Sequence, residues 1–305
     1  MRNKIFSFLF FVSTLSYGQS NSQLSFHSIS GLSQSTVYSI LKDKQGFLWV
    51  ATANGLNRFD GTSMNIYKPS YSEPQGKMKG RIIRSALLED DADQIWFGSD
   101  RVVNCFNKKK QVFTQRQLYW NKTGLGRLDS TPNIEIFANP LIIKEGYYWF
   151  SSASEGLFAL DTKNNTCFNY PVTIKDKKGN NIPLMYRGVM LNNNLWFASP
   201  KGLLRFNLIH KQWDLFLAGQ SFFSIAHCRD TLYLGNNENI EWFDTKSLKK
   251  GFCKINNFQA EQKTIRYITT DGKMNIWAGD QDGNIFYKPA IANEFIWKGN
   301  INGNA

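Results

Sequence analysis

The chain has 305 residues, 36 Lys and Arg against 24 Asp and Glu, a formal charge of +12, 42% hydrophobic and 15% aromatic residues. An aromatic share of that size excludes a disordered chain, and 23 Gly with no sustained heptad exclude collagen and coiled coil. The rings, 9 Trp, 12 Tyr and 24 Phe, suit strands better than helices.

Taken from the amino end, Arg2 and Lys4 precede an apolar run from Ile5 to Leu15, followed by Ser16, Tyr17 and Gly18. This is the three-part layout of a secretory signal, predicted over residues 1–18, with a mature unit over 19–305. The run is too short for a membrane span, which needs about 20 apolar residues. No later segment reads as a span either. The expectation is an exported, periplasmic, basic chain, for which nucleic acid is not the expected partner.

Six copies of one pattern follow. The first runs from Trp49 through Gly55 to Phe59 and Asp60, and the second from Trp96 to Phe106 and Asn107. The third runs from Trp149 through Gly156 to Leu160 and Asp161, and the fourth from Trp196 through Gly202 to Phe206 and Asn207. The fifth begins at Tyr233 and ends Trp242, Phe243, Asp244; the sixth runs from Trp277 through Gly283 to Tyr287. Two residues past each anchor stands a small residue: Ala51, Gly98, Ser151, Ala198, Gly235 and Gly279. Strand period two puts it on the anchor's face, where it lets the next sheet approach. Gly55, Gly156, Gly202 and Gly283 mark hairpin reversals. A strand precedes each anchor, as at Val37 to Leu41, and another closes each copy, as at Met64 to Tyr67. Four short strands per cycle of about 45 residues is the content of one propeller blade. The predicted fold is therefore an all-β propeller of six four-stranded antiparallel blades, with a β-helix or sandwich as the structural alternative.

Gly31, Leu32, Ser33, Gln34, Ser35, Thr36 and Val37, then Ile40, Asp43, Gly46, Leu48 to Thr52 and Gly55 to Asp60, resemble the signature of the two-component regulator propeller repeat. Later copies are more degenerate, and the resemblance extends over about residues 24 to 297. It implies the periplasmic sensor region of a Bacteroidetes-type two-component histidine kinase, many of which sense polysaccharide fragments. Such receptors usually carry two seven-bladed rings, an immunoglobulin-like domain, a membrane helix and cytoplasmic signalling domains. Against that plan the chain reads as a truncated or split receptor, or an incomplete seven-bladed ring, with a closed six-bladed ring as the alternative. The strand from Leu24 to Ile29 resembles the family's ring-closing strand, and an open ring would invite pairing with a second propeller or receptor chain.

Catalytic and metal signatures are not found. His27, His210 and His227 lack metal-ligand spacing with each other and with Cys, and no cofactor is predicted. Gly124 to Gly126 is half a dinucleotide fingerprint and reads as loop. Asp280 to Asn284 resembles a calcium loop but has its Gly two places early, so a hairpin is predicted there. His227 reads as a packed inner-strand residue. Cys228 and Cys253 fall on the innermost and outermost strands of one blade, three strand spacings apart, so the cysteines are predicted as free thiols.

The candidate binding residues are Arg84, Tyr119, Trp120, Arg187 and Arg266. They lie in the loops entering the inner strands, or at those strands' starts, and should gather on one face around the channel. Rings stack on sugars, and guanidinium groups fix carboxylate or sulfate. The expected ligand is a glycan or glycan fragment, acidic in character, bound without catalysis. A propeller-fold lyase or glycosidase and a protein-interaction scaffold are the rival readings; the first is weakened because the acidic residues sit mainly in repeated turns.

Overall fold

The computed structural model describes residues 29–70, 72, 75–99, 102–117, 139–152, 156–163, 166–184, 186, 188–256, 258 and 264–301. The signal-like segment lies outside them. Every regular element among the described residues is a strand, and the strands form six sheets, each an antiparallel meander. Blade one is β1 Val37–Lys42, β2 Leu48–Thr52, β3 Gly55–Phe59 and β4 Met64–Tyr67. Blade two is β5 Leu88–Glu89, β6 Gln94–Ser99, β7 Val102–Asn107 and β8 Val112–Gln117. Blade three is β9 Asn139–Lys144, β10 Tyr147–Ser152, β11 Gly156–Asp161 and β12 Cys167–Tyr170. Blade four is β13 Gly188–Leu191, β14 Asn194–Ser199, β15 Gly202–Asn207 and β16 Gln212–Phe216. Blade five is β17 Ser224–Cys228, β18 Thr231–Gly235, β19 Ile240–Asp244 and β20 Lys250–Phe252. A short β21, Ile255–Asn256, then joins blade six, made of β22 Ile265–Thr270, β23 Ile276–Asp280, β24 Asn284–Lys288 and β25 Phe295–Asn300. It pairs with β25 in parallel, so the connection out of blade five covers the outer edge of blade six. The six anchors each lie on the second strand of a blade, where the sequence pattern places them.

These second strands are covered on both faces because blades stack face to face. They read as nearly continuous apolar runs, such as Ile95, Trp96, Phe97 and Gly98, rather than as alternation. Each of the first five anchors points at the following blade and meets a ring there. Trp49 reaches Phe106 at 5.4 Å, Trp96 reaches Tyr148 at 5.5 Å, and Trp149 reaches Phe206 at 6.2 Å. Trp196 reaches Phe243 at 6.0 Å and Tyr233 reaches Phe295 at 6.2 Å. Such ring pairs add about 0.5–1.5 kcal/mol each beyond the area they bury. Five apolar cores result, one per junction from blade one through blade six. The small residue beside the anchor is needed for this approach: a Cβ on Gly235 would lie 2.8 Å from the Ile265 carbonyl oxygen of blade six.

The junction between blade six and blade one is different. Among the described residues Trp277 meets only Tyr287 of its own blade, at 4.5 Å. Ile225 and Ile268 pair with the residue after their anchor and are 4% exposed against the preceding blade; Ile40 pairs in the same way and is 61% exposed. Among the described residues nothing covers this flank of blade one.

The turn entering the second strand comes in two kinds. In blades one, two and six an aspartate begins it. The Asp43 carboxylate accepts the Gln45 and Phe47 amides and, at 2.8 Å, the Trp49 indole N–H. Asp90 holds Ala92, Gln94 and Trp96 in the same way, and Asp271 holds Lys273, Asn275 and Trp277. In blades three, four and five the turn has two residues, Glu145-Gly146, Asn192-Asn193 and Arg229-Asp230. Positive φ at Glu145, Gly146, Asn192, Asn193 and Arg229 fits the tight hairpins whose twist matches the strands.

Burial pushes the Asp271 carboxyl up, but the Asn275 side chain, the Trp277 indole and two amides outweigh it and hold the group at about 2. A carboxyl depressed in the fold contributes stability that is present above its unfolded value of 3.8 and is lost as pH falls toward about 2. The melting temperature of the wild type should therefore fall across that window, and Asp271→Asn should flatten the slope, as thermal melts at stepped pH would record.

Cys105, Cys228 and Cys253 are buried and Cys167 is half-buried, all as free thiols. Cys228 lies on the inner strand and Cys253 just past the outer strand of blade five, as the repeat register requires. Burial pushes the Cys167 and Cys253 thiols up to about 12, out of the reactive range. Asp280 to Asn284 is the β23–β24 hairpin, its Asp280 carboxylate accepting the amides of Asp282 and Asn284.

Candidate functional site at the channel mouth

The inner strands start where each blade is pinned to the one before it. The amides of Ile83, Phe222 and Ile265 donate to the carbonyls of Thr52, Ser199 and Asn236 at 3.1, 3.0 and 2.9 Å. Each acceptor stands three residues past the preceding anchor, and all three donors are fully buried. The next residues, Arg84, Phe223 and Arg266, therefore hold equivalent places at the upper ends of the inner strands. Two of them are candidates from the sequence, and both are exposed.

Phe223 links this set across blades. The Arg266 guanidinium lies over its ring at 4.7 Å, and Tyr186, entering blade four, meets it edge-on at 5.6 Å. Arg266 also donates to the Gln281 side chain at 3.5 Å. Tyr119, Trp120 and Arg187 lie outside the described residues. Phe223 was not singled out by sequence; aligning copies on the buried residue before it would have placed it beside Arg84 and Arg266.

Below this mouth runs a channel of about 370 Å³ walled by Ile142, Gly188, Val189, Met190, Ile225, Ala226, His227, Ile268, Thr269 and Thr270. Its lining mixes aliphatic side chains with His227, Thr269 and Thr270. His227 lies on that wall, and its Nδ1 is buried without a partner, while Thr270 donates to the His227 carbonyl at 2.6 Å. An edge-on ring pair beside a guanidinium group can hold the flat face of a ligand and its anionic substituent. Among the described residues no group of three His, Cys, Asp or Glu is placed to hold a metal ion.

Residues 31–54 match the family model "Two component regulator propeller". The first repeat is a two component regulator propeller repeat. Within a regulator propeller repeat of this kind, Gly31 to Thr36 form the approach to the inner strand, and Ser33 is the residue that fixes it: its amide donates to Asn57 at 2.8 Å. The chain is 48% identical over 67 residues to Histidine kinase P4 of Formosa agariphila, a stretch that is 21% of this chain and 5% of that protein. The chain thus matches a small part of that relative's length. Among solved structures it is similar to the extracellular domain of BT3049 from B. thetaiotaomicron, described as a hybrid two component system. That likeness has 22% identity over 86% of this chain and 41% of the other, with a TM-score of 0.48. It is also similar to U3-55K, with 6% identity over 87% of this chain and 81% of the other and a TM-score of 0.59, a likeness of fold. No helix among the described residues is long and apolar enough to cross a membrane.

Proposed function

We propose that this regulator propeller is the ligand-sensing unit of a two-component signalling receptor on the exported side of the membrane, and that it recognises a glycan or glycan fragment of acidic character without catalysing its breakdown. The repeat match at residues 31–54 supports the sensor reading. The observation that carries ligand recognition is the register of Arg84, Phe223 and Arg266, which aligns two guanidinium groups and a ring around one channel mouth. Arg84 and Arg266 bind anionic groups of the ligand, and Phe223 and Tyr186 provide the stacking surface. A second propeller or receptor chain is the partner through which occupancy is passed on.

Calorimetric titration against a panel of acidic and neutral oligosaccharides tests this. Saturable binding of an acidic member without product formation is expected, weakened at least about tenfold, or about 1.4 kcal/mol, in Phe223→Ala and Arg266→Ala. Turnover of any panel member would replace the sensor with an enzyme, and binding indifferent to both substitutions would remove the site.

A further inference from the structure

Two junctions of the propeller are built on the same three rings, and their comparison exposes a second site. Between blades one and two, Trp49 stacks on Tyr67 at 5.9 Å and Tyr67 meets Phe106 at 5.0 Å. Between blades three and four, Trp149 stacks on Tyr170 at 5.8 Å and Tyr170 meets Phe206 at 5.2 Å. In the first junction the space beside the indole is filled by protein. Asp43 accepts the Trp49 N–H at 2.8 Å and the Lys108 ammonium at 3.3 Å. In the second the two-residue turn Glu145-Gly146 replaces the aspartate turn, and among the described residues no carboxylate accepts from the Trp149 indole; Glu145 stands at the groove's rim, near enough to act on Lys211 electrostatically but not paired with it. A groove of about 310 Å³ opens there, lined by Trp149, Tyr147, Phe168, Tyr170, Lys144 and Lys211 among others.

The groups that Asp43 satisfies in the first junction have counterparts here that are left over. The Trp149 indole N–H has no acceptor among the described residues. The Lys211 ammonium lies over Trp149 at 5.0 Å and Tyr170 at 5.5 Å, with no carboxylate within ion-pair distance among the described residues. Lys144 donates to Asn193 at 2.5 Å and reaches Glu145 at 3.8 Å; Glu145 itself turns outward, its side chain 79% exposed. The groove continues past Tyr170 and Lys211 to Trp213, whose indole N–H is buried and has no partner among the described residues.

We propose that this groove binds the carboxylate of an acidic sugar residue. The carboxylate takes the place that Asp43 holds in the first junction, accepting from the Trp149 N–H and paired with Lys211, while the pyranose ring lies against Tyr147, Phe168 and Tyr170. In a meander the turns alternate ends, so this groove, lined by the turns into β10 and β14, opens on the face opposite the channel mouth. The proposal does not depend on the channel-mouth reading.

The probe is D-glucuronate, followed by tryptophan fluorescence and calorimetry, with D-glucose as the neutral control. The wild type should bind glucuronate saturably below about 10 mM and glucose at least about tenfold more weakly. Lys211→Asn, chosen because Lys211 sits at φ +55 where Asn is tolerated, should weaken glucuronate at least about tenfold. Trp149→Phe keeps a ring in the core but removes the N–H, and should weaken it as well, with folding checked by circular dichroism. Lys273→Ala, at an exposed lysine of the blade-six turn, should leave this binding unchanged. No saturable binding in the wild type, or full binding in Lys211→Asn, would overturn the proposal. Loss in Arg266→Ala with retention in Lys211→Asn would assign the sugar to the channel mouth and leave the groove empty-handed.

Discussion

Lys108→Met is expected to destabilise the fold by about 3–5 kcal/mol, because it strands two buried carboxylates without their cation. Lys108 follows β7 in a run of three lysines, yet its side chain is 4% exposed. Its ammonium bridges Asp43 of blade one, at 3.3 Å, and Glu89 of blade two. Glu89 also accepts the Lys44 amide at 2.8 Å, so Lys108 and Glu89 together tie one turn of blade one to blade two. Burial pushes the Asp43 carboxyl up, but the Trp49 indole, the Phe47 amide and Lys108 outweigh it and hold it below the ordinary value. Burial pushes the lysine down, and its two carboxylates outweigh that and raise it. The group with a raised value contributes stability that is full below its unfolded value and is lost only as alkaline pH passes the folded one. At neutral pH Lys108 and Asp43 are both charged. Once Lys108 is gone, the buried Asp43 carboxylate is left without its cation, and protonating Asp43 relieves the strain. The deficit in chemical denaturation should therefore shrink as pH falls through the carboxylate range, and Lys108→Met with Glu89→Gln should recover part of it. A neutral-pH loss under about 1 kcal/mol would place the lysine among solvated surface charges.

The second large effect is Trp49→Ala, at about 3–5 kcal/mol. Trp49 is fully buried, and its removal takes away the ring that Tyr67 and Phe106 share and the donor that Asp43 accepts. Phenylalanine separates the two contributions. Trp196 is equally buried, but its indole N–H has no partner. Trp49→Phe should cost more than Trp196→Phe by roughly the 1.5–3 kcal/mol of a hydrogen bond to a charged group. Equal melting shifts for the two would show that the aspartate does nothing for the anchor.

The blades, their anchors and the small neighbours of the anchors were legible because strand period two and a repeated ring leave a direct trace in sequence. The capped indoles were legible too, in principle: Asp43, Asp90 and Asp271 stand six residues before their anchors, where blades three to five carry Ile143, Met190 and His227. The burial of Lys108 was not, since three consecutive lysines look like a solvated turn until the partner blade's carboxylates are in place. The register of Arg84 and Arg266 could be inferred from the copies, whereas the groove beside Trp149 depends on a turn shortened by three residues in blade three and on side chains brought together from the next. It is a property of a junction, and a single repeat does not contain it.

The uncovered flank of blade one has a mechanical consequence. A sealed ring must absorb any tilt of one blade within itself, because every sector is held on both sides. Five contacts in series, with no sixth among the described residues, behave instead like a split washer: small rotations at successive contacts accumulate, and the two ends shift most. Ile40 and Trp277 mark those ends, so a distance measured between them is the most sensitive gauge of any strain set up elsewhere around the disc.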